Sequence, residues 1–221
     1  MALNLAIFDW NGTLMDDAQA NLEGCNATMA AAGRPPITME RYRETMDFPV
    51  IHLYTRNGID TDTYLANINQ YGQVFLDKYK EEAKSAVLKS GSHDLLDALL
   101  DAGFTTMVLS NYIQEELESQ MAAHHVLHKF HHICGNIDFG NIEHTRMTKL
   151  GRLQTILDDN KYDPAKAFII GDSLEEPEIA RHLGMTCFSV TWGCVSTGRL
   201  AAGNPDYMVN DLAEVREILK V

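Results

Sequence analysis

Leu3-Asn4-Leu5-Ala6-Ile7-Phe8-Asp9-Trp10-Asn11-Gly12-Thr13-Leu14 is the stretch on which the fold of this chain turns. An apolar run leads directly into a carboxylate, and a short polar turn with one glycine follows. A run of roughly four to eight apolar residues bounded by turn signals suits a strand buried on both faces, as in parallel sheets. Open parallel sheets bind ligands outside the carboxyl ends of their strands. Asp9 therefore falls where such folds do chemistry. Gly12 lets the backbone turn tightly and lets a ligand come close. Alone, Asp-x-Asn-Gly-Thr reads equally well as an acid capping the next segment, so the rest of the chain has to decide.

Outward from this stretch, the chain has two grammars. Asp16 and Asp17 precede a helix-leaning segment from Ala18 to Ala32, ended by Gly33-Arg34-Pro35-Pro36. Glycine followed by proline is a helix stop. A second helix starts after Thr38. Thr63 to Lys84 reads as one helix, with Leu65, Ile68, Tyr71, Phe75 and Tyr79 at helical spacing. No strand pattern stands out between residues 17 and 88. From Val87 onward, helices and strands alternate. Strands are expected at Phe104–Leu109, Phe130–Cys134, Ala167–Ile170, Met185–Val190 and Tyr207–Val209. Helices are expected from Leu95 to Gly103, over 112–124 and 148–160, and over Glu175–Leu183 and Leu212–Leu219. Such alternation predicts a parallel sheet with helices on both faces. The expected architecture is α/β: a Rossmann-like core over residues 1–16 and 88–221, with an all-helical domain inserted over 17–87.

Composition sets the frame. The chain has 221 residues, 45% apolar and 22% charged, with a net charge of -13. That length allows one large domain or a core with an insert, and the composition is that of a folded globular protein. The acidic balance argues against a nucleic-acid backbone or an anionic membrane as the main partner. An anionic substrate would need a local positive device. Four well-separated cysteines without a C-x-x-C suggest buried thiols of a reducing cytoplasm. The start lacks a basic n-region, and no apolar run is long enough to span a bilayer.

In a parallel sheet, Asp9, Ser110-Asn111, Lys149 and Asp172 with Glu175-Glu176 fall at strand ends or helix starts along one edge. A nucleophile, a hydroxyl, a cation and several acids meeting there suit phosphoryl transfer. A carboxylate can attack phosphorus to give an acyl phosphate. Mg²⁺ held by carboxylates and water neutralises phosphate charge. Ser110, backbone N–H groups and Lys149 can hold the equatorial oxygens.

In these motifs the chain resembles the haloacid dehalogenase superfamily, in its phosphoglycolate-phosphatase-like branch with a helical cap. The first motif is Asp9-Trp10-Asn11-Gly12-Thr13-Leu14, the second Leu109-Ser110-Asn111. The third is matched best by Lys149. The fourth is Ile170-Gly171-Asp172-Ser173, with Glu176 at the place of the second acid. Val190-Thr191-Trp192-Gly193 resembles the loop after the fifth strand of that branch. The resemblance implies that Asp9 is nucleophile and metal ligand, and that Asn11 offers its backbone carbonyl to Mg²⁺. It further implies that Asp172 is the second carboxylate ligand, with Glu176 or Glu175 supporting the metal through water. Thr13, Ser110, Asn111 and Lys149 would handle the phosphate of a small phosphorylated metabolite, under a cap that excludes water and selects the substrate.

One position departs from the pattern. Phosphatases of this superfamily carry aspartate two residues after the nucleophile as acid and then base, and here Asn11 stands there. An amide cannot exchange a proton near neutral pH, and acid–base catalysis is commonly worth about 10²–10⁴-fold. Asn11 is compatible with a slow phosphatase, a substrate with a good leaving group, or a base borrowed from elsewhere. It also keeps open a phosphate-binding or regulatory protein with little turnover, a dehalogenase, or phosphonate cleavage. Dehalogenases need no metal. Phosphonate cleavage calls for a cap lysine, and Lys78, Lys80 and Lys84 share one helix.

Other features read as structural. His124, His125, His128, His131 and His132 suggest a solvated helix end, although His124 and His128 at i, i+4 have zinc-ligand spacing. His52, Tyr54 and Arg56 read as surface residues, Asp16-Asp17 as acids at a helix start, and Trp10 as packing at the core–cap junction. The substrate and the choice between monomer and homodimer are not legible.

Overall fold

β1 (Leu5–Phe8) is buried along its whole length at the centre of a six-stranded sheet. The computed structural model describes residues 3–136 and 148–221. After β1 come β2 (Met15–Asp16), α1 (Ala18–Ala31), α2 (Met39–Thr45), α3 (Ile51–Arg56), α4 (Thr61–Ala66), α5 (Ile68–Glu82) and β3 (Val87–Leu88). Then follow α6 (Ser92–Asp101), β4 (Thr105–Ile113), α7 (Gln114–Ala123), β5 (His132–Asn136) and α8 (Lys149–Asn160). The chain ends with β6 (Ala167–Gly171), α9 (Glu175–Leu183), β7 (Thr186–Val190), α10 (Thr197–Ala202), β8 (Tyr207–Val209) and α11 (Leu212–Leu219).

The sheet order is β5-β4-β1-β6-β7-β8, and every neighbouring pair is parallel. The chain builds outward from β1 through β4 and β5, then crosses to β6 and builds the other way. The direction reverses between β1 and β6, so a crevice opens at their carboxyl ends. Side chains alternate between the two faces of β1. Phe8 packs with Phe168 and Phe188 on one face, and Leu5 and Ile7 with Met107 and Ile169 on the other. Helices cover both faces, which is why these strands read as continuous apolar runs.

Five helices stand between β2 and β3. Those two short strands pair antiparallel, Met15 with Leu88 and Asp16 with Val87. The chain therefore leaves the sheet and returns to it side by side. α1 lies along α5, and Gly24 permits the approach: a Cβ there would strike the Phe75 ring. The helices bury an apolar cluster of their own, including Leu22, Met29, Tyr42 and Leu53, which continues to Val195 and Leu200.

The helix expected over Thr63–Lys84 is two helices broken at Asn67, which ends α4 and precedes α5. The Asn67 amide donates to the Thr63 carbonyl at 2.8 Å, a local bond that competes with helix propagation. Leu65 accordingly lies 41% exposed, off the apolar stripe. β4 runs on through Ser110 and Asn111 with a register shift before Ile113, so α7 starts at Gln114. β5 lies two residues later than expected. α3 and α10, of six residues each, are too short to show a period.

His124 and His128 share no helix face, because α7 ends at Ala123 and His125 takes a left-handed conformation (φ 57°). His131 Nδ1 accepts from the Thr106 amide at 3.1 Å, and His132 Nε2 meets the Tyr162 hydroxyl at 2.8 Å. Among the described residues, no helix is long and apolar enough to cross a membrane.

Candidate active site

Asp9 is the first residue past β1, and its amide donates to the Ile170 carbonyl of β6 at 2.9 Å, which fixes its backbone. Its Oδ1 accepts from the Trp10 amide at 2.7 Å, and its Oδ2 lies 3.0 Å from Lys149 Nζ. Lys149 opens α8, whose start is set by the Thr148 side chain accepting from the Gly151 amide at 3.1 Å. Only 2% of Lys149 is exposed, and Nζ also reaches Glu176 Oε1 at 2.5 Å. Glu176 Oε2 accepts from the Ser173 amide at 3.1 Å and its hydroxyl at 2.7 Å. Both Glu176 oxygens thus anchor neighbours, and the residue does not border the cavity.

Asp172 follows β6 across the crevice. Its Oδ2 accepts from the Cys194 amide at 2.6 Å, and its Oδ1 from the Thr13 hydroxyl at 3.4 Å. A Cβ on either Gly12 or Gly193 would overlap this carboxylate. Gly12 also needs its φ of +71°, which side-chain-bearing residues rarely adopt. Trp192 Nε1 donates to the Thr13 carbonyl at 3.1 Å, which ties the loop after β7 to the turn after β1. Thr13 is fully buried against Asp172 rather than on the cavity wall.

A cavity of about 350 Å³ opens at this edge, bordered by Asp9, Asn11, Ser110, Asn111, Asp172 and Ser173. The Ser110 hydroxyl accepts from the Tyr112 amide at 3.1 Å. The Asn111 amide donates to Glu175 Oε2 at 2.6 Å, and its Oδ1 accepts from Arg152 at 3.2 Å. Arg152 also donates to the Ser110 carbonyl at 2.8 Å, so it steadies the β4 end from α8.

The electrostatics follow from burial and crowding. Burial raises the Asp9 carboxyl above its ordinary range against the pull of Lys149. Burial and then the Asp9 charge raise Asp172. Burial pushes Glu175 up to about 7. Glu176 is lowered, because Lys149 and Ser173 outweigh its burial. Burial opposes the charge on Lys149, but Asp9 and Glu176 raise it overall. One lysine does not balance this set of acids. The donor set fits Mg²⁺, which takes one or two carboxylates and completes its shell with water and substrate oxygens. Among the described residues no three acidic, imidazole or thiol groups form a self-sufficient metal cage. Asp9, Asp172 and the Asn11 carbonyl are the groups that could hold the ion.

Asn11 is not idle. Its amide donates to Asp17 Oδ2 at 2.6 Å and to the Tyr79 hydroxyl at 2.8 Å. Asp17 Oδ1 accepts from the Gly12 amide at 2.7 Å, and its Oδ2 from the Tyr79 hydroxyl at 2.6 Å. Gln120 links on: its amide donates to Tyr79 at 3.1 Å, and its Oε1 accepts from Trp10 Nε1 at 2.8 Å. Asp17 is 1% exposed, and its side chain does not cap α1. The reading of Asp17 as a helix-start acid is therefore corrected: it is a buried acceptor that joins the first motif to α5. Nothing in the local sequence marks it, since its partner Tyr79 lies on α5, far along the chain. Tyr54 is also corrected, because it is buried on the cavity wall, whereas His52 and Arg56 are exposed. Lys78 pairs with Glu81 and Glu82, Lys80 pairs with Glu116, and neither borders the cavity.

The family model described as haloacid dehalogenase-like hydrolase matches residues 6–190. A phosphoglycolate phosphatase of Vibrio vulnificus strain YJ016 is 22% identical, over 99% of this chain and 97% of the relative. One from Agrobacterium fabrum is 26% identical, over 97% and 91%. A haloacid dehalogenase-like hydrolase from Streptococcus pneumoniae superposes with a TM-score of 0.81 at 21% identity, over 98% of each chain. With these likenesses added to the parallel sheet and the acids at its edge, the chain belongs to the haloacid dehalogenase-like hydrolase family.

Proposed function

We propose that this chain is a cytoplasmic, Mg²⁺-dependent phosphatase of small phosphorylated metabolites that works through an aspartyl-phosphate on Asp9. The observation that carries the reading is the Asp9 carboxylate at the reversal point of the sheet. It faces a cavity, with Lys149 at 3.0 Å and Asp172 across the crevice. Residues 1–16 and 88–221 form the catalytic core in this reading, and residues 17–87 form the cap.

A carboxylate oxygen of Asp9 attacks phosphorus in line with the departing oxygen, and water later cleaves the acyl phosphate. Lys149 holds Asp9, and its charge acts on the phosphoryl group from behind that carboxylate rather than from the cavity wall. Ser110 and Asn111 hold the phosphoryl oxygens from the end of β4. Thr13, Cys194 and the two glycines keep Asp172 in place, and Glu176 keeps Lys149 in place. Asp9, Asp172 and the Asn11 carbonyl would hold Mg²⁺, which when bound offsets charge on the phosphoryl oxygens. The helices between β2 and β3 exclude water from the cavity.

The test is hydrolysis across a panel of phosphate esters, with and without Mg²⁺, by the wild type and Asp9→Asn. Turnover that needs Mg²⁺ and falls by about 10³-fold or more in Asp9→Asn is expected. Turnover that survives Asp9→Asn overturns the assignment of the nucleophile. A second reading, a phosphate-binding regulatory protein, is favoured by Asn11, whose amide is held by Asp17 and Tyr79 and cannot exchange a proton near neutral pH. Mg²⁺-dependent phosphate binding without turnover of any ester would select it.

A further inference from the structure

Six of the eight tyrosines, Tyr42, Tyr54, Tyr64, Tyr71, Tyr79 and Tyr112, border the cavity that holds Asp9. All six are buried. Tyr54 and Tyr64 stack with ring centroids 5.0 Å apart and planes at 24°, and Tyr71 follows Tyr64 at 5.9 Å. Phe48, Ile68 and Phe75 add to this wall, which Asn21, Asn69 and Gln73 also border. Among the described residues, no lysine, arginine or histidine borders the cavity, and its acids, Asp9 and Asp172, sit at the reacting end. A leaving group that carries a carboxylate, as phosphoglycolate does, would lose water there and meet no cationic side chain. A flat, uncharged ring would meet ring faces and edges. A volume of about 350 Å³ is that of a small-ligand pocket.

A second observation is independent of the wall. Among the described residues that border the reacting end, apart from the acids Asp9 and Asp172 assigned to attack and metal binding, no side chain is suited to protonate a departing alkoxide. Asn11 is an amide, and Tyr79 already donates its proton to Asp17. Burial raises Tyr112, which makes its hydroxyl a weaker acid than an ordinary phenol. A phenol ionises near pH 10, as tyrosine does, so a phenolate departs without that help.

We propose that the substrate is a small aryl phosphate monoester, its uncharged ring seated among Tyr54, Tyr64 and Tyr71 and its phosphoryl group at Asp9. The proposal rests on the phosphatase reading above. The Asp9 oxygen forms a bond to phosphorus as the bond from phosphorus to the aryl oxygen breaks. The electron pair leaves on the phenolate, which takes a proton from solvent. Water then cleaves the acyl phosphate, returning the Asp9 carboxylate and releasing phosphate and a proton.

The experiment compares kcat/KM for 2-naphthyl phosphate, 2-(2-naphthyl)ethyl phosphate and 2-phosphoglycolate, with Mg²⁺, in the wild type, Asn11→Asp and Ile68→Arg. Ile68 is a half-buried wall residue where an arginine can reach solvent. In the wild type, the aryl ester should exceed phosphoglycolate by about 10²-fold or more. Ile68→Arg should narrow that ratio about tenfold by raising phosphoglycolate turnover. Asn11→Asp should raise the alkyl ester more than the aryl ester, because only the alkoxide needs an acid. Equal or better use of phosphoglycolate by the wild type overturns the proposal, as does an unchanged ratio in both variants. A binding arm separates this from failure of the phosphatase reading. If no ester turns over, 2-naphthylmethylphosphonate and phosphonoacetate are titrated by calorimetry. Tighter binding of the arylphosphonate by about tenfold supports the aromatic seat, and equal or weaker binding overturns it.

Discussion

At the scale of single residues, the candidate site depends on two glycines and one buried acid as much as on its carboxylates. Gly193 leaves no room for a side chain beside Asp172. Gly193→Ala should push that carboxylate aside and weaken Mg²⁺ binding by about 10–100-fold, as loss of supporting groups around a metal does. Calorimetric titration measures this, and unchanged affinity would contradict the cradle. Asp17 accepts from the Gly12 amide, the Asn11 amide and the Tyr79 hydroxyl. Asp17→Ala strands buried donors, and urea unfolding should show a loss of about 1–3 kcal/mol. A loss below the error of the measurement would mean that water replaces the carboxylate. Asn11 itself was legible as a departure, because one position in a strong motif broke its pattern. Its partners were not, since hydrogen bonds between Asp17, Tyr79 and Gln120 form only once three distant segments meet.

At the scale of elements, the helical block is latched to the loop after β7. Arg43 on α2 donates to the Trp192 and Gly193 carbonyls, both at 2.9 Å. Arg199 on α10 donates to the Met46 carbonyl and pairs with Asp47 at 3.1 Å. The Arg43 bonds place the same loop that carries Gly193, so the latch and the metal cradle share a segment. Arg43→Ala should speed cleavage by a protease in the segments around β2 and β3 and raise KM more than it lowers kcat. Hydrogen bonds from a charged donor are worth about 1.5–3 kcal/mol, enough for a tenfold effect or more. Identical cleavage rates would show that apolar packing alone holds the block. Elements with strong local signals were legible: the apolar run of β1, and α9 and α11 to their end residues. The break at Asn67, the short α3 and α10, and the extension of β4 past Leu109 were not. Each is settled by tertiary contacts or by a single side-chain bond too local for a periodic pattern.

At the scale of the whole molecule, buried acids make stability depend on pH and metal together. Burial holds Glu175 up to about 7 from an ordinary value of 4.5. Between those values the folded chain keeps a proton that the unfolded chain has lost. The stability this contributes is full below the lower value and is lost as pH rises through the upper one. Asp9 and Asp172 are raised by the same cause and add in the same direction. Metal-free protein should therefore lose stability from pH 5 to pH 8, and Glu175→Gln should flatten part of the slope. Mg²⁺ should stabilise the protein more at pH 8 than at pH 5, because the ion favours ionised ligands. Thermal unfolding with a chelator or with Mg²⁺ reads both effects. A metal-free curve that rises with pH would show that these acids are ionised in the fold without help.

The most direct measurement of the central claim is mass spectrometry of the protein quenched during turnover of an aryl phosphate with Mg²⁺. A phosphoryl group is expected on the peptide that contains Asp9, labile to hydroxylamine, and absent from Asp9→Asn and from metal-free protein. Steady turnover with no phosphoryl group on that peptide at any quench time, or the same modification in Asp9→Asn, would contradict the account.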